Sequence, residues 1–565
     1  MENLRIKEGL RDFRELVSLY RNEYKEKIAF RFRKEVDNVE SNLIDKTYLE
    51  FAEDIKYLAT KFIDMGLKNS KISIIGPNSY KWCVTYLAVT TSEMTVVPLD
   101  RALPENEVVS LLNRAKVETL VYDKKNALII EKIKSEGTTT VKHFICMENE
   151  YNECLEAGKK LYEGGMKEYD NIVLDPHAVS IILFTSGTTS LAKGVMLSQD
   201  NICQDIATIN EYMYIDSNDT FLSILPLHHT LESSVTFIFG TSKGITICIC
   251  DGMKYIAQNF IDFGITVFLG VPALVEMMHK KVQKGLKEKG LLDLVNKTEN
   301  LTDEEKAKRD MVIKGVMATL GGKLRNVLVG AAPVSKEALD GFKKLGLNVI
   351  QGYGLTETSP VVCLETDKFK RLGSVGIKLR NVDVKINNPN EDGLGELLVK
   401  GPMVMKGYYE NEKATKEAFT EDGWFKTGDL AIIDDEGVIY IKGREKNVIV
   451  LKNGKNIFPE EIEILINKLP YVKESMVYGK ETTVGDDYRL CVKVVYDKEW
   501  VKAHIFENSD NIEEDVILEE VKKEVKEINK SLPAYKHIRG VVVSEKELAK
   551  TTTSKIKRYE EMKNL

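Results

Sequence analysis

Residues 71–123 read KISIIGPNSYKWCVTYLAVTTSEMTVVPLDRALPENEVVSLLNRAKVETLVYD, with three short β-rich runs at 71–77, 94–100 and 119–123 set between longer helix-like stretches. An amphipathic stretch, Tyr48 to Met65, precedes them, and another strand-like run, KHFICM (142–147), follows. Strands alternating with helical patterns predict a parallel sheet covered by helices. The rhythm returns in TFLSILPL (220–227), GITICICDG (244–252), ITVFLGVP (265–272) and LRNVLVG (324–330), each followed by a glycine or proline and a helix-like segment. Residues 1 to about 375 are therefore expected to be mainly α/β, with parallel-rich sheets.

The texture changes after Leu372, where glycine-punctuated runs read as hairpins, VDVKINNPNEDGLGELLVKG (382–401) and LAIIDDEGVIYIKG (430–443). If residues 434–437 form the second loop, Ile433 pairs with Val438 and Asp429 falls opposite Lys442. Asp429 and Arg444 then share the open end, an acceptor and a fork of donors aimed at one place. Beyond Arg444 comes a third unit: NVIVLK (447–452), a helix opened by Pro459, strand-like 472–478 and 488–496, a charged helix from about Ile512 to Lys530, and IRGVVVSE (538–545). Proline suits a first helical position because its missing N–H costs nothing there. Two domains are expected, a large one over 1–444 with a β-rich end and a small α+β one over 445–565.

Eighty Lys and Arg against 87 Asp and Glu leave a net charge of −7, which disfavours a nucleic-acid partner. The longest apolar stretch, Phe263 to Val275, is broken by Gly264, Gly270 and Pro272 and falls short of the ~20 residues a bilayer requires. MENLRIKEGLRDF at the start is charged throughout and does not read as a secretory signal, so a cytoplasmic protein is expected. Eight cysteines without a CxxC read as buried thiols, not a zinc site.

The segment with the most chemistry runs Ile181-Ile-Leu-Phe-Thr-Ser-Gly-Thr-Thr-Ser-Leu-Ala-Lys-Gly194, an apolar strand entering a hydroxyl- and glycine-rich loop that closes on a lysine. Small residues let backbone N–H groups approach phosphate oxygens, hydroxyls add donors, and Lys193 brings a mobile positive charge. It is not a Walker A loop, since Lys193 precedes Gly194 and no hydroxyl follows. A plain turn is the alternative reading of the loop alone.

Together with QGYGLTE (351–357), FKTGDL (425–430), GREKNVIVLKNGKNIFPEEIE (443–463) and KTTTSKIKR (550–558), this loop resembles the ordered motif set of the adenylate-forming superfamily. The resemblance implies ATP and Mg²⁺ as cofactors. Thr185, Ser186, Gly187, Thr188, Thr189 and Lys193 would cover the β- and γ-phosphates. Gly330, Ala331 and Ala332 with Gly352, Tyr353 and Gly354 would frame adenine, and Thr356 would bond the α-phosphate. Glu357 would hold Mg²⁺, a hard cation that prefers oxygen ligands, while Asp429 would accept the ribose hydroxyls with help from Arg444. Lys555 would swing in to stabilise the charge that builds up when a carboxylate attacks the α-phosphorus. Lys446 would be the hinge of the small domain, which rotates between the two half-reactions. Three positions depart from the pattern, Ser190 and Ala192 in the first loop and Ser554 before the last lysine.

On the acid side, LPLHH (225–229) is similar to the segment that forms the acyl wall, with His229 as the gate. Metal binding by both histidines is disfavoured, because neighbours on a strand point to opposite faces. The helical insertion from His279 to Leu320 resembles that of long-chain acyl-CoA synthetases. It contains HKKVQKGLKEKG (279–290) beside Val275, Met278, Val282 and Leu286, which is either a basic amphipathic face for peripheral contact with a membrane or a solvated helix surface. Asn456 would line the acyl or thiol channel. The expected function is an ATP-dependent fatty-acid:CoA ligase acting through an acyl-AMP. The alternatives are a ligase whose acceptor is an acyl carrier protein, another acid-activating enzyme, or a nucleotide-binding homologue without turnover.

Overall fold

The computed structural model describes residues 9–34, 43–185, 192–297, 299–330, 334–366, 368–451, 456–481, 488–507, 512–550, 556–563 and 565. The three runs that opened the sequence form the centre of a seven-stranded sheet. Its parallel part is ordered Val179–Thr185, Thr95–Leu99, Lys71–Ile75, Thr119–Tyr122, His143–Cys146. Lys193–Ser198 and Gly407–Tyr408 extend it antiparallel beyond Val179–Thr185. The strands are buried on both faces, as a helix-covered parallel sheet requires.

The second set of runs builds a nine-stranded sheet, with Thr246–Ile249, Thr220–Ser223, Val267–Gly270, Asn326–Val329 and Asn348–Gly354 running parallel side by side. The core is continuous between the two sheets, since Ile72, Val96 and Ile181 of one belong to the same buried cluster as Phe221, Val267 and Ile350 of the other. The helix predicted over Tyr48–Met65 spans Tyr48–Asp64, opened by a capping box of Thr47 and Glu50. It packs backbone to backbone on Glu150–Glu163, because a Cβ at Gly158 would lie 1.9 Å from the Tyr57 carbonyl oxygen.

Both predicted hairpins are present in a four-stranded sheet ordered Asp383–Asn387, Gly395–Lys400, Phe425–Ile433, Ile439–Arg444. The register of the second one differs from the sequence reading. Ile433 faces Ile439 rather than Val438, and a bulge at Leu430/Ala431 adds one residue to the return strand. Asp429 consequently lies directly opposite Arg444, not Lys442. A bulge is a local accommodation of twist that no alternation of residue types announces.

After Arg444 comes a single 3₁₀ turn, Glu445–Asn447, in which Lys446 is exposed. NVIVLK contributes only a two-residue strand, Ile449–Val450, paired with Asn456–Ile457. Pro459 opens the helix Pro459–Ile466 as its first residue, and Val472–Glu481, Tyr488–Tyr496 and Gly540–Ser544 form a three-stranded sheet. This unit carries its own apolar cluster around Ile462, Val492, Val494 and Val521.

The insertion between His279 and Leu320 is helical, with Pro272–Glu288, Leu292–Asn296 and Asp303–Thr319. Val275, Met278 and Leu286 are buried in the cluster behind the nine-stranded sheet and Val282 packs on it, while Lys280, Lys281, Lys284 and Lys287 face solvent. The apolar half of the amphipathic face is thus inside the protein. Among the described residues no helix is long and apolar enough to cross a membrane. All eight cysteines are free thiols, six of them buried.

Candidate active site

The hydroxyl-rich loop is the connection of an antiparallel hairpin whose last pair is Thr185 opposite Lys193. Ser186, Gly187, Thr188 and Thr189 lie outside the described residues, as do Ala331, Ala332 and Lys555. Lys193 projects over the ring of Tyr408, its Nζ 4.7 Å from the centroid, a cation–π contact across the neighbouring strand. Tyr408 donates its phenol to Glu357 Oε1 at 3.0 Å. The peptide N–H of Met405 bonds the Glu357 carbonyl at 2.8 Å, so both ends of Glu357 are held by the 405–408 segment. Tyr408 thus joins the first loop to QGYGLTE, a link with no counterpart in the sequence reading. Its only sequence signal was a tyrosine pair after Gly407 in a short strand-like run.

Thr356 and Glu357 sit in a 3₁₀ turn, Thr356–Thr358, directly after the strand Asn348–Gly354. That strand places Tyr353 so that its phenol donates to Asp429 Oδ2 at 2.5 Å. Burial, followed by the charge of Asp429, holds the Tyr353 hydroxyl well above its usual range, so it remains a donor. Asp429 is buried, and Arg444 Nε reaches its other oxygen at 2.9 Å while Arg444 Nη1 bonds the Thr427 carbonyl at 2.9 Å. One carboxylate therefore anchors a tyrosine and an arginine. With the Arg444 side chain 40% exposed, water screens the pair, and its own contribution to folding is about 1 kcal/mol or less. The arrangement is better suited to presenting oriented donors and acceptors than to holding the fold.

Gly352 and Gly354 have a packing role. A Cβ at Gly354 would sit 1.6 Å from the Pro360 carbonyl oxygen, and one at Gly352 would sit 2.7 Å from Leu364 Cδ2. The returning strand Val361–Leu364 thus requires small residues here whatever binds in front of them.

The Leu225–His229 segment is a turn, not a strand, and its two imidazoles lie together with centroids 4.2 Å apart. The two rings therefore do not point to opposite faces, as neighbours on a strand would. No cluster of three metal-ligating side chains occurs among the described residues. His228 Nε2 is buried without a hydrogen-bond partner, and burial lowers its pKa to about 4, which keeps the ring neutral. Burial raises the pKa of Asp100, an effect that the Ala102 N–H and then His229 offset only in part. Asn456 is half-buried opposite Val450 in the small unit.

The carboxylate of Glu357 carries no ion pair among the described residues and offers a hard oxygen at the hydroxyl end of Tyr408, the ring that Lys193 covers. This fits Mg²⁺, which is commonly bound by one or two carboxylates plus substrate phosphates and water rather than by an all-protein cage.

Comparison with known proteins bears on this arrangement. The profile of the AMP-binding enzyme family matches residues 21–409, and that of the AMP-binding enzyme C-terminal domain matches residues 446–564. Long-chain-fatty-acid–CoA ligase 5 of Mus musculus is 28% identical over 472 residues, covering 77% of this chain and 69% of that one. Fatty acyl-CoA synthetase B of Dictyostelium discoideum is 27% identical over 577 residues, covering 91% and 82%. The structure of O-succinylbenzoate coenzyme A synthetase from Bacillus subtilis, in complex with ATP and magnesium ion, superposes with a TM-score of 0.72 at 22% identity, covering 96% and 98%. The motif order, the layered sheets and the matched profiles agree: this chain belongs to the AMP-binding enzymes, the adenylate-forming superfamily.

Proposed function

We propose that the protein is an ATP-dependent fatty-acid:CoA ligase. A carboxylate oxygen attacks the α-phosphorus of ATP, the bond to the β-phosphate breaks, and acyl-AMP and pyrophosphate result. The coenzyme A sulfur then attacks the acyl carbon, AMP leaves, and the thiol proton passes to solvent. The observation that carries the reading is the set Lys193–Tyr408–Glu357 and Tyr353–Asp429–Arg444, which brings a cation, a carboxylate without an ion pair and a ribose-type acceptor to the 353–357 segment.

Lys193 with Thr185 and the loop residues Ser186, Gly187, Thr188 and Thr189 binds the outer phosphates. Tyr353 and the glycines flank adenine together with Ala331 and Ala332. Asp429 and Arg444 take the ribose hydroxyls, and Thr356 takes the α-phosphate. Glu357 would hold Mg²⁺, which when bound neutralises phosphate charge. Lys555 supplies the cation at the α-phosphate, a task suited to a point charge on a flexible stem. His229 gates the acid, and Asn456 lines the thiol path. Residues 1–444 act as the body and 445–565 as the lid, turning about Lys446 in the exposed 3₁₀ turn. The long-chain preference rests on the relatives named for long-chain acids and on the helical insertion.

The test is ATP-dependent pyrophosphate release with saturated acids of increasing length, each with and without coenzyme A. Release with long acids and faster turnover to AMP with coenzyme A are expected. Release that coenzyme A leaves unchanged would point to a carrier-protein acceptor. No release at all would favour a nucleotide-binding homologue, the reading that Ser190, Ala192 and Ser554 motivate.

A further inference from the structure

A half-buried polar strut joins the two sheets at the histidine turn. Asn78 follows the strand Lys71–Ile75 of the seven-stranded sheet, and its side chain reaches the nine-stranded one. Its Nδ2 donates to the Leu225 carbonyl at 2.7 Å and to Ser223 Oγ at 2.9 Å, while its Oδ1 accepts the Leu227 N–H at 3.0 Å. Ser223 Oγ in turn donates to Glu232 Oε1 at 2.6 Å, and Thr236 Oγ1 donates to Oε2 at 2.9 Å. Ser233, the next residue, donates both its N–H and its hydroxyl to the His229 carbonyl, each at 3.0 Å. Both ends of the 225–229 turn are therefore tied to this network.

Glu232 itself is 0% exposed and has no cation beside it among the described residues. The titratable groups facing it are the thiols of Cys83, on the helix Tyr80–Thr90, and Cys250, beyond Thr246–Ile249, both raised by burial. A buried carboxylate without a counter-charge is costly, so burial outweighs the hydroxyl donors and moves its pKa up to about 8. Glu232 lies in Leu231–Phe239, a π-helical segment, a geometry uncommon in helices and frequent at functional sites. In that segment Leu231 abuts Gly330, where a Cβ would come within 3.2 Å of it. Packing alone would be served by an apolar residue; directional bonds converging on five consecutive residues do something else, which is to set a backbone orientation.

We propose that Glu232 is a positioning residue: through Ser223 and Asn78 it fixes the 225–229 turn, and with it His228 and His229, as the wall against which the acid binds. The proposal rests on the acid-activating reading above. The full-length chain with Glu232→Ala, Glu232→Gln or Asn78→Ala is compared in two ways, by amide hydrogen exchange over 224–230 without substrate and by pyrophosphate release against acid and ATP concentration. Glu232→Ala and Asn78→Ala are expected to speed exchange in the turn and raise KM for the acid about tenfold, the scale of one lost buried hydrogen bond, with KM for ATP little changed. Glu232→Gln is expected to restore both at pH 7 and to remove the alkaline loss of activity that ionised Glu232 brings to the wild type. Unchanged exchange in both alanine variants, equal rises in the two KM values, or a glutamine variant no better than alanine would overturn it. Should Glu232→Ala fail to fold, Asn78→Ala, which alters a loop residue, decides alone. Turn exchange that depends on Glu232 in a protein releasing no pyrophosphate would uphold the positioning role and overturn the acid-activating reading.

Discussion

The proposed nucleotide side and the proposed acid side of the candidate site are assembled by different means. On the proposed nucleotide side the groups come from strand ends and a hairpin, Tyr353, Asp429 and Arg444, and the outermost of them, Arg444, is 40% exposed. On the acid side they come from a turn and a π-helical segment, and the group that ties them together is wholly buried. Solvent-facing polar residues are constrained by what they must contact outside, so their types and spacing are legible in a motif. A buried carboxylate is constrained by the neighbours that satisfy it, which here are Ser223 and Thr236, with Asn78 one bond further on. The proposed nucleotide half is therefore expected to tolerate local change in its surroundings, whereas the proposed acid half is expected to respond to a substitution about 150 residues away in the chain, at Asn78.

Substitutions sharpen this contrast, the largest effect first. Lys555→Ala is expected to lower adenylate formation by about 10²–10³-fold, as loss of a transition-state cation does, and to leave thioester formation from supplied acyl-AMP largely intact. Pyrophosphate release and acyl transfer measured separately check this, and equal loss of both steps would remove the assignment. Asp429→Ala leaves the Tyr353 hydroxyl and Arg444 without their shared acceptor and is expected to raise KM for ATP by about ten- to a hundredfold, equivalent to ~1.5–3 kcal/mol, with KM for the acid nearly constant. A matching rise for the acid would erase the division between the two sides. Lys446→Pro, which stiffens the 3₁₀ turn, is expected to permit adenylate formation while slowing thioester formation about tenfold; single-turnover measurements of each half-reaction distinguish the two.

Glu232 makes a smaller, pH-dependent contribution. The folded state keeps its proton up to about pH 8, whereas an unfolded glutamate loses it near pH ~4.3, so between these values the folded state binds more protons. Stability from this group therefore falls as pH rises through that window. Denaturant midpoints of Glu232→Gln relative to wild type should shift in favour of the variant from pH 5 to pH 8, and parallel curves would contradict the burial argument. The smallest effect is expected for Lys280→Glu with Lys281→Glu. Their helix has its apolar stripe in the core, so folding and release with soluble acids should stay within about twofold of wild type, and co-sedimentation with anionic vesicles should be unchanged.

Much of the architecture was legible because periodicity reports burial locally. The runs at 71–77, 94–100 and 119–123 became neighbouring parallel strands, and Pro459 opened its helix where predicted. The partnership of Asp429 and Arg444 was also legible, although the loop residues alone set Lys442 opposite Asp429; a one-residue shift at the turn and a bulge bring Arg444 there instead. The histidines directly follow the strand-like run TFLSILPL and read as part of a strand; in the folded chain Asn78 binds the Leu225 carbonyl and the Leu227 N–H, and the backbone there is a turn. Tyr408 was missed because its partners, Lys193 and Glu357, lie some 50 and more residues away.

The sequence by itself determined which stretches become strands and helices, the order of the motifs and the family they identify, since these depend on residue types within a few positions of one another. Tertiary structure alone decided the hairpin register at Asp429, the link through Tyr408, the pairing of the two imidazoles and the burial of Glu232. Each of those depends on which distant groups are brought within about 3–5 Å, where hydrogen bonding and desolvation act, and separation along the chain carries no record of that distance.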